Sequence, residues 1–390
     1  MSNIIDVDSH WTFPWEFRVA EGPLKRFKDA LPDEDGMIDF FMADDLLRTL
    51  SGAERPTTEQ IFPSHPYAQG GTTHVPEYFD GVRTVSKLSD RLKWMDQIGI
   101  RYSIVNSGGF PAAFPLIKDL KERHAYLRTC NDILAAEISS VPDRLGAVAY
   151  ADLSDLDWAI EELTRMRALG SRAFGIRGEP VDGRSLGHPH FDRLWSAITD
   201  LGMIVNLHTG FAPALFGEWG HLGLDMTTED GRGRFLRLAN SQRHQAVELF
   251  LNAMVFGGAF QRHPKLTVLV AELSVFWLPS LVSRMDMNGF SNPLTGPWDD
   301  ELSPGDLLRR QVRVSPLPGF SDSAALNILQ GLPTMLSWCS DYPHAEGNAD
   351  PIAFYGEELQ NLDENLRKGF LGGNITESFK RTGDPIDLVA

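Results

Sequence analysis

An eight-stranded α/β barrel, the (β/α)8 or TIM-barrel class, is the fold that this chain of 390 residues predicts, and three observations predict it. Short apolar, β-branched segments alternate with amphipathic ones, the pattern of repeated βα units and a parallel sheet. The first and last strand candidates both end in metal-ligand side chains, which favours a closed ring because closure makes strands one and eight neighbours. Two long stretches rich in Pro, Gly and aromatics follow strands one and five, on the side where a barrel keeps its active site.

The strand candidates are residues 4–9, 102–106, 145–150, 173–176, 203–207, 266–271, 312–315 and 335–339. Between them, residues 86–98, 117–140, 156–169, 191–201, 244–262, 276–287 and 323–330 carry apolar side chains at three- and four-residue spacing and read as helices. Leu169-Gly170 and Asn288-Gly289 read as helix stops, where glycine takes a positive φ without a Cβ penalty. The chain is expected to be one domain over residues 1–390. Its insertions are residues 11–83, with Pro14, Trp15, Phe40, Phe41, Pro63, His65, Pro66 and Tyr67, and residues 209–241, with Phe211, Phe216, Trp219, His221 and an Asp230-Gly231-Arg232-Gly233 turn. Loops of this length read as lids over the mouth, and packing or subunit contact by the aromatics is the competing reading.

Composition narrows the class. With 42% hydrophobic and 23% charged residues the chain can bury a large core, and disorder is not expected. Its 53 acidic against 36 basic residues, net −17, argue against nucleic acid or anionic membrane as a partner. No basic start followed by an apolar stretch is present, and no run approaches about 18 apolar residues, so neither signal peptide nor membrane span is expected and a cytoplasmic location follows by default. Cys130 and Cys339 lack metal-type spacing, and Cys339 reads as a buried filler rather than a nucleophile.

The chemistry concentrates at strand ends. Ile4-Ile5-Asp6-Val7-Asp8-Ser9-His10 delivers Asp8 and His10 two residues apart, so both leave one face of a strand. His208 ends the fifth strand and Asp341 the eighth, which makes a mixed N/O donor set suited to zinc, manganese or iron as the divalent ion. His244 and Glu248, four apart, share a helix face, and Glu272 closes the sixth strand. These three could hold a second metal; alternatively, Glu248 is solvated and Glu272 orients a ligand as a hydrogen-bond acceptor. Arg177 could clamp a substrate carboxylate or pair with Glu179 or Asp182. His344, three residues beyond Asp341, and Trp219 in the second long loop are further substrate-binding candidates, whereas His188 and His190 read as surface residues.

Beyond Asp8-x-His10 the chain carries Val181-Asp182-Gly183-Arg184, Leu186-Gly187-His188-Pro189, Leu207-His208-Thr209-Gly210 and Phe256-Gly257-Gly258-Ala259-Phe260. His263-Pro264-Lys265-Leu266, Ala271-Glu272, Trp277-Leu278-Pro279, Ser340-Asp341-Tyr342-Pro343-His344 and Leu371-Gly372-Gly373-Asn374 follow in order. In these blocks the sequence resembles the amidohydrolase-related branch of the amidohydrolase superfamily over nearly its whole length. The resemblance implies a barrel that binds a divalent metal through Asp8, His10, His208 and Asp341, with His244 as an acid/base group beside it. Similar members include aminocarboxymuconate-semialdehyde and resorcylate-type decarboxylases and hydrolases of lactones, amides or esters.

Two departures bear on the chemistry. Asp8 stands where many relatives carry His, and Phe174-Gly175-Ile176-Arg177-Gly178-Glu179 has no lysine to bridge two metals, so one metal is expected rather than two. The leading expectation is a hydrolase in which metal-bound water attacks an ester, lactone or amide carbonyl, with His244 and Asp341 as catalytic groups. One alternative is non-oxidative decarboxylation of an aromatic or unsaturated acid, with Arg177 holding the substrate. A second is a diiron oxygenase completed by His244, Glu248 and Glu272. A small-molecule substrate and a homodimer are the expected partners.

Overall fold

The structure is a computed structural model and describes residues 4–11, 22–27, 29–30, 86–107, 110–208, 222–225, 228–289, 294–298, 300–316, 324–343, 350–384 and 386. Seven parallel strands pair in chain order: β1 Ile4–Trp11, β2 Ile100–Ser107, β3 Leu145–Tyr150, β4 Ala173–Ile176, β5 Ile204–His208, β6 Val268–Ala271 and β7 Val312–Val314. The eighth candidate is not a regular strand, yet it closes the ring by backbone hydrogen bonds on both flanks. Val314 N–H donates to Met335 O at 2.7 Å and Ser337 N–H to Val314 O at 3.0 Å on the β7 side. On the β1 side Val7 N–H reaches Trp338 O at 3.2 Å, Asp341 N–H reaches Asp8 O at 2.9 Å and His10 N–H reaches Tyr342 O at 2.6 Å. The chain therefore has an α/β TIM-barrel-like fold.

Side-chain alternation divides the apolar residues into two cores. Ile5, Val7, Tyr102, Ile104, Val148, Ile204 and Leu269 pack with one another and fill the barrel interior. Their strand neighbours Ile4, Val105, Ala147, Val205, Val268 and Val270 pack outward in a second cluster with the surrounding helices. Residues of opposite parity on a strand leave opposite faces, which is why both clusters draw on the same segments.

β1 breaks this alternation once. Asp6 pairs with Ser103 and Ser9 with Val105, so β1 advances three residues while β2 advances two. The extra residue is a bulge, and it lets Val7 and Asp8 both serve the interior. Below the bulge the inward residues are Ile5 and Val7; above it they are Asp8 and His10. Asp6 faces the seam with the eighth segment, where it accepts from Ser340 N–H at 2.9 Å, Ser340 Oγ at 2.7 Å and Ser103 Oγ at 3.0 Å. Burial pushes its carboxyl up to about 7 against those hydrogen bonds, and the Asp8 charge adds to the rise.

The helix of residues 374–382 covers the opposite end of the barrel. Ile375, Phe379 and Ile386 join the interior cluster, and Asp384 clamps Arg167 at 2.6 Å and Arg172 at 3.0 Å. No strand or ligand motif marks this segment in the sequence, and it was not among the expected helices.

Several expectations need correction. The expected helix over residues 244–262 divides into His244–Phe256 and Ala259–Arg262, because Gly258 takes a φ of 80°. Gly170 has the positive φ expected of a helix stop at 97°, but Gly289 does not, at −77°. Residues 230–233 are not a turn; they lie in the first turns of a helix, Glu229–Gln242, whose start Thr228 caps by accepting from Gly231 N–H at 3.1 Å. The helix Pro304–Gln311, capped by Ser303 accepting from Asp306 N–H at 3.1 Å, was also not anticipated. Most of residues 11–83, on which the first lid and the dimer expectation rest, lies outside the described residues.

The end of β3 is held by a buried polar lock. Asn131, on the helix Leu120–Ile138, donates to Tyr150 O at 2.9 Å and to Glu162 Oε1 at 2.9 Å, and it accepts from Tyr150 N–H at 2.9 Å. Burial pushes the Glu162 carboxyl up, but hydrogen bonds from Arg165, Asn131 and Arg128 more than reverse it, so its pKa lies below the ordinary glutamate value. A depressed folded-state pKa gives stability that is present above the unfolded pKa and is lost as pH falls through the folded one. Glu162→Gln should therefore flatten the fall in melting temperature between roughly pH 6 and pH 3. Parallel melting curves for parent and variant across that range would refute the linkage.

Candidate metal centre

At the C-terminal ends of the strands the bulge on β1 aims Asp8 and His10 inward, and regular alternation on β5 puts Asn206 and, one level higher, His208 on the inward face. His208 is the hub. Its Nε2 lies 2.9 Å from Glu272 Oε2, 3.2 Å from His10 Nε2 and 3.4 Å from Asp8 Oδ1. His10 Nε2 is in turn 3.7 Å from Asp8 Oδ1, 3.7 Å from Glu272 Oε2 and 3.2 Å from Asp341 Oδ1. One donor atom each from Asp8, His10, His208 and Glu272 falls within a mutual 4.8 Å. Asp341 stands against the His10 side of that group.

Alternation alone would not deliver Glu272. Val268 and Val270 face outward on β6, and Glu272 shares their parity. A φ of 58° at Glu272 reverses the chain and turns the side chain into the mouth; Asp341 has a φ of 57°. A residue with a Cβ in this left-handed region costs on the order of 1–3 kcal/mol, and such strain is concentrated at functional sites. Glu272 and Asp341, two of the four described non-glycine residues with positive φ, carry carboxylates that meet imidazoles.

The electrostatics call for a cation. Burial disfavours charge on His208, but the carboxylates of Asp8 and Glu272 overcome it and raise its pKa well above the ordinary imidazole value. Asp8 Oδ2 is buried with no hydrogen-bond partner among the described residues. Two imidazoles and two carboxylates, with Asp341 beside His10, form an N/O donor set that fits a divalent ion of the zinc, manganese or iron type. Cys339 is not a further donor. Its thiol donates to Pro316 O at 3.0 Å, and burial, followed by the charges of Asp8, Asp6 and Asp341, holds it protonated.

The remaining expected site residues that are described are not members of this donor group. His244 Nε2 lies 3.5 Å from Glu248 Oε1, and Glu248 also pairs with Arg284. Neither joins the donor group, so the alternative of a second metal on His244, Glu248 and Glu272 finds no assembled site among the described residues: Arg284 pairs with Glu248, and Glu272 belongs with His208. That removes the structural basis of the diiron reading. Arg177 is paired with Glu179 on the wall of a cavity of about 230 Å³, which Arg123, Asp152, Tyr150 and Phe114 also line. His188 and His190 are exposed. Trp219, His344 and residues 209–221 of the second expected lid lie outside the described residues.

Sequence reasoning missed the inward layer beneath the donors. Asn106 Nδ2 donates to Asp8 Oδ1 at 2.9 Å, and Asn106 Oδ1 accepts from Asn206 Nδ2 at 2.8 Å and from Tyr150 OH at 3.2 Å. The available signal was Asn206, two residues before His208 on one strand and so on its face.

A TIM-type barrel that gathers imidazoles and carboxylates at its strand ends defines the class of metal-dependent barrel enzymes. Residues 118–381 match the family model described as Amidohydrolase, and the chain belongs to that family. A curated relative, the gamma-resorcylate decarboxylase of Rhizobium sp. (strain MTP-10005), is 28% identical over 202 residues, which are 50% of this chain and 58% of that protein. The match thus spans little more than half of the relative's length.

Among solved structures, an amidohydrolase of Mycobacterium avium subsp. paratuberculosis K-10 superposes with a TM-score of 0.67 at 20% identity, covering 97% of this chain and 99% of the other. The 5-carboxyvanillate decarboxylase LigW of Sphingomonas paucimobilis gives 0.62 at 18%, covering 97% and 99%. A dihydroxybenzoic acid decarboxylase of Polaromonas sp. JS666, solved with manganese and the inhibitor 2-nitroresorcinol, gives 0.60 at 16%, covering 97% of both chains. The expectation of ester, lactone or amide hydrolysis is corrected by these comparisons, because the reactions named among them are decarboxylations. Barrel and donor set are common to both chemistries, which is why the residues alone did not separate them.

Proposed function

We propose that this protein is a divalent-metal-dependent, non-oxidative decarboxylase of a hydroxylated aromatic acid, with manganese as its metal. The observation that carries the reading is the buried group of Asp8, His10, His208 and Glu272, with Asp341 against His10, in a chain whose curated relative is named a gamma-resorcylate decarboxylase. When bound, the metal would draw electron density from the substrate's carboxylate and neighbouring hydroxyl oxygens and hold the carboxylate for departure.

The rest of the reaction falls to the chain. The bond between ring carbon and carboxylate breaks, CO₂ leaves, and the electron pair stays on the ring carbon, which takes one proton. His244 is the proposed donor. Its Nε2 faces Glu248, so Nδ1 is the nitrogen that would carry the proton, with Glu248 orienting the ring. Arg177, paired with Glu179, is the proposed substrate-carboxylate or phenolate contact, and the aromatic segments within residues 11–83 and 209–241 are the proposed lids that keep water from competing for the carbanionic centre.

The reading is tested with manganese-loaded protein and a panel of one-ring dihydroxybenzoates in D₂O. CO₂ release with one deuterium at the vacated ring carbon is the expected result. A panel that yields neither CO₂ nor ring deuterium with metal-replete protein would count against it.

A further inference from the structure

We infer that Asn106, braced by Asn206 and Tyr150, is the positioning residue that fixes the Asp8 carboxylate as a metal ligand, an inference that rests on the metal reading of this site. Asp8 and its three neighbours come from four different strands, β1, β2, β3 and β5, and all four side chains are buried. Oδ1 is the Asp8 oxygen that faces both imidazoles, at 3.7 Å from His10 Nε2 and 3.4 Å from His208 Nε2. The same oxygen accepts the Asn106 amide at 2.9 Å. A carboxylate oxygen has two lone pairs, so it can take this hydrogen bond and still face a cation.

The orientation of Asn106 follows from its neighbours. Burial, with the Asp8 charge behind it, keeps the Tyr150 phenol protonated well above its ordinary pKa. Tyr150 therefore donates, at 3.2 Å, and Asn206 Nδ2 donates at 2.8 Å, so the Asn106 oxygen is the atom they meet. A flipped amide would set its oxygen against the Asp8 carboxylate, acceptor against acceptor. Two donors on one end thus direct the NH₂ at Asp8 from the other. Aspartate is short, with one torsion between Cβ and the carboxylate plane, and this contact sets that torsion before a metal arrives. Hydrogen-bond partners of metal ligands commonly carry 10–100-fold of metal affinity.

The experiment strips the full-length protein with chelator, titrates it with Mn²⁺ and reads the free ion by its EPR signal. Asn106→Leu, close in volume, should raise the Mn²⁺ Kd by about 10–100-fold while the stripped protein keeps the parent's circular dichroism. Tyr150→Phe, which removes one hydroxyl, should raise it roughly two- to tenfold, the equivalent of one neutral hydrogen bond. A residue that only packs would lower the stripped midpoint and leave the Kd of the folded protein unchanged. A Kd within twofold of the parent in folded Asn106→Leu overturns the inference; should that variant not fold, an unchanged Kd in Tyr150→Phe does so. If the parent itself takes up no Mn²⁺, the metal reading fails and the inference with it, whereas inactivity on the dihydroxybenzoate panel touches neither.

Discussion

His208→Ala should leave the protein without bound divalent metal and lower decarboxylation by at least about 10³-fold, equivalent to roughly 4 kcal/mol of barrier. The size follows from where its Nε2 sits, within 3.4 Å of Asp8 Oδ1, 3.2 Å of His10 Nε2 and 2.9 Å of Glu272 Oε2. Those three atoms lie within 3.4 Å of it, whereas His10 Nε2 has two neighbours at 3.2 Å and two more at 3.7 Å. Truncation to alanine removes the neutral ligand and leaves Asp8 and Glu272 facing each other across the gap. Elemental analysis of the purified variant beside a CO₂-release assay checks both halves. Glu248→Gln supplies the contrast, since Glu248 pairs with His244 and Arg284 rather than with the donors. It should keep its metal and lose rate. A His208→Ala protein that retains a full equivalent of metal would refute the assignment.

Gly187→Ala should destabilise the fold by about 3 kcal/mol or more, a large effect for adding one methyl group. A Cβ at Gly187 would meet Ala253 O at 1.9 Å, and one at Gly257 would meet Gly187 O at 2.8 Å. Backbone meets backbone at this crossing, so no side chain can swing aside. Arg262 Nη2 donates to Gly187 O at 3.0 Å and Trp195 Nε1 to Leu186 O at 3.1 Å, which ties the turn further to its surroundings. Two motifs far apart in sequence, Leu186-Gly187 and Phe256-Gly257-Gly258, are thereby one structural contact. Urea titration of the variant gives the measurement, and a free energy of unfolding within about 0.5 kcal/mol of the parent's would show that the crossing can relax.

The barrel was legible because hydrophobic periodicity reports alternation directly. All seven regular strands lie within two residues, at either end, of the segments read from the sequence. What escaped was structure set by backbone torsion or by capping. Ser303-Pro304-Gly305-Asp306 is a capped helix start whose apolar pattern is too short to register. The C-terminal helix that covers the barrel begins at the end of the Leu371-Gly372-Gly373-Asn374 block, which does not by itself announce a helix.

At the site, Asp8, His10 and His208 could be read because strand-end histidines and carboxylates are visible as residue types. The role of Glu272 depends on a φ of 58° that a non-glycine residue does not advertise. Asn106, Asn206 and Tyr150 look like ordinary strand residues until three strands bring them together. Glu248 misled for the opposite reason: helical spacing placed it beside His244 correctly, and nothing in the sequence announced Arg284 as its partner.

The bulge between Asp6 and Ser9 acts as a phase shift. Before it, the strand is in phase with the oily filling of the barrel; after it, the same strand is in phase with the chemistry at the mouth. The two halves are therefore separable as targets for change. Conservative swaps at Ile5 or Val7 would register in melting temperature, and changes at Asp8 or His10 in metal uptake. A one-residue deletion at the bulge would put the whole strand in a single phase, and the barrel could then keep its floor or its metal, but not both.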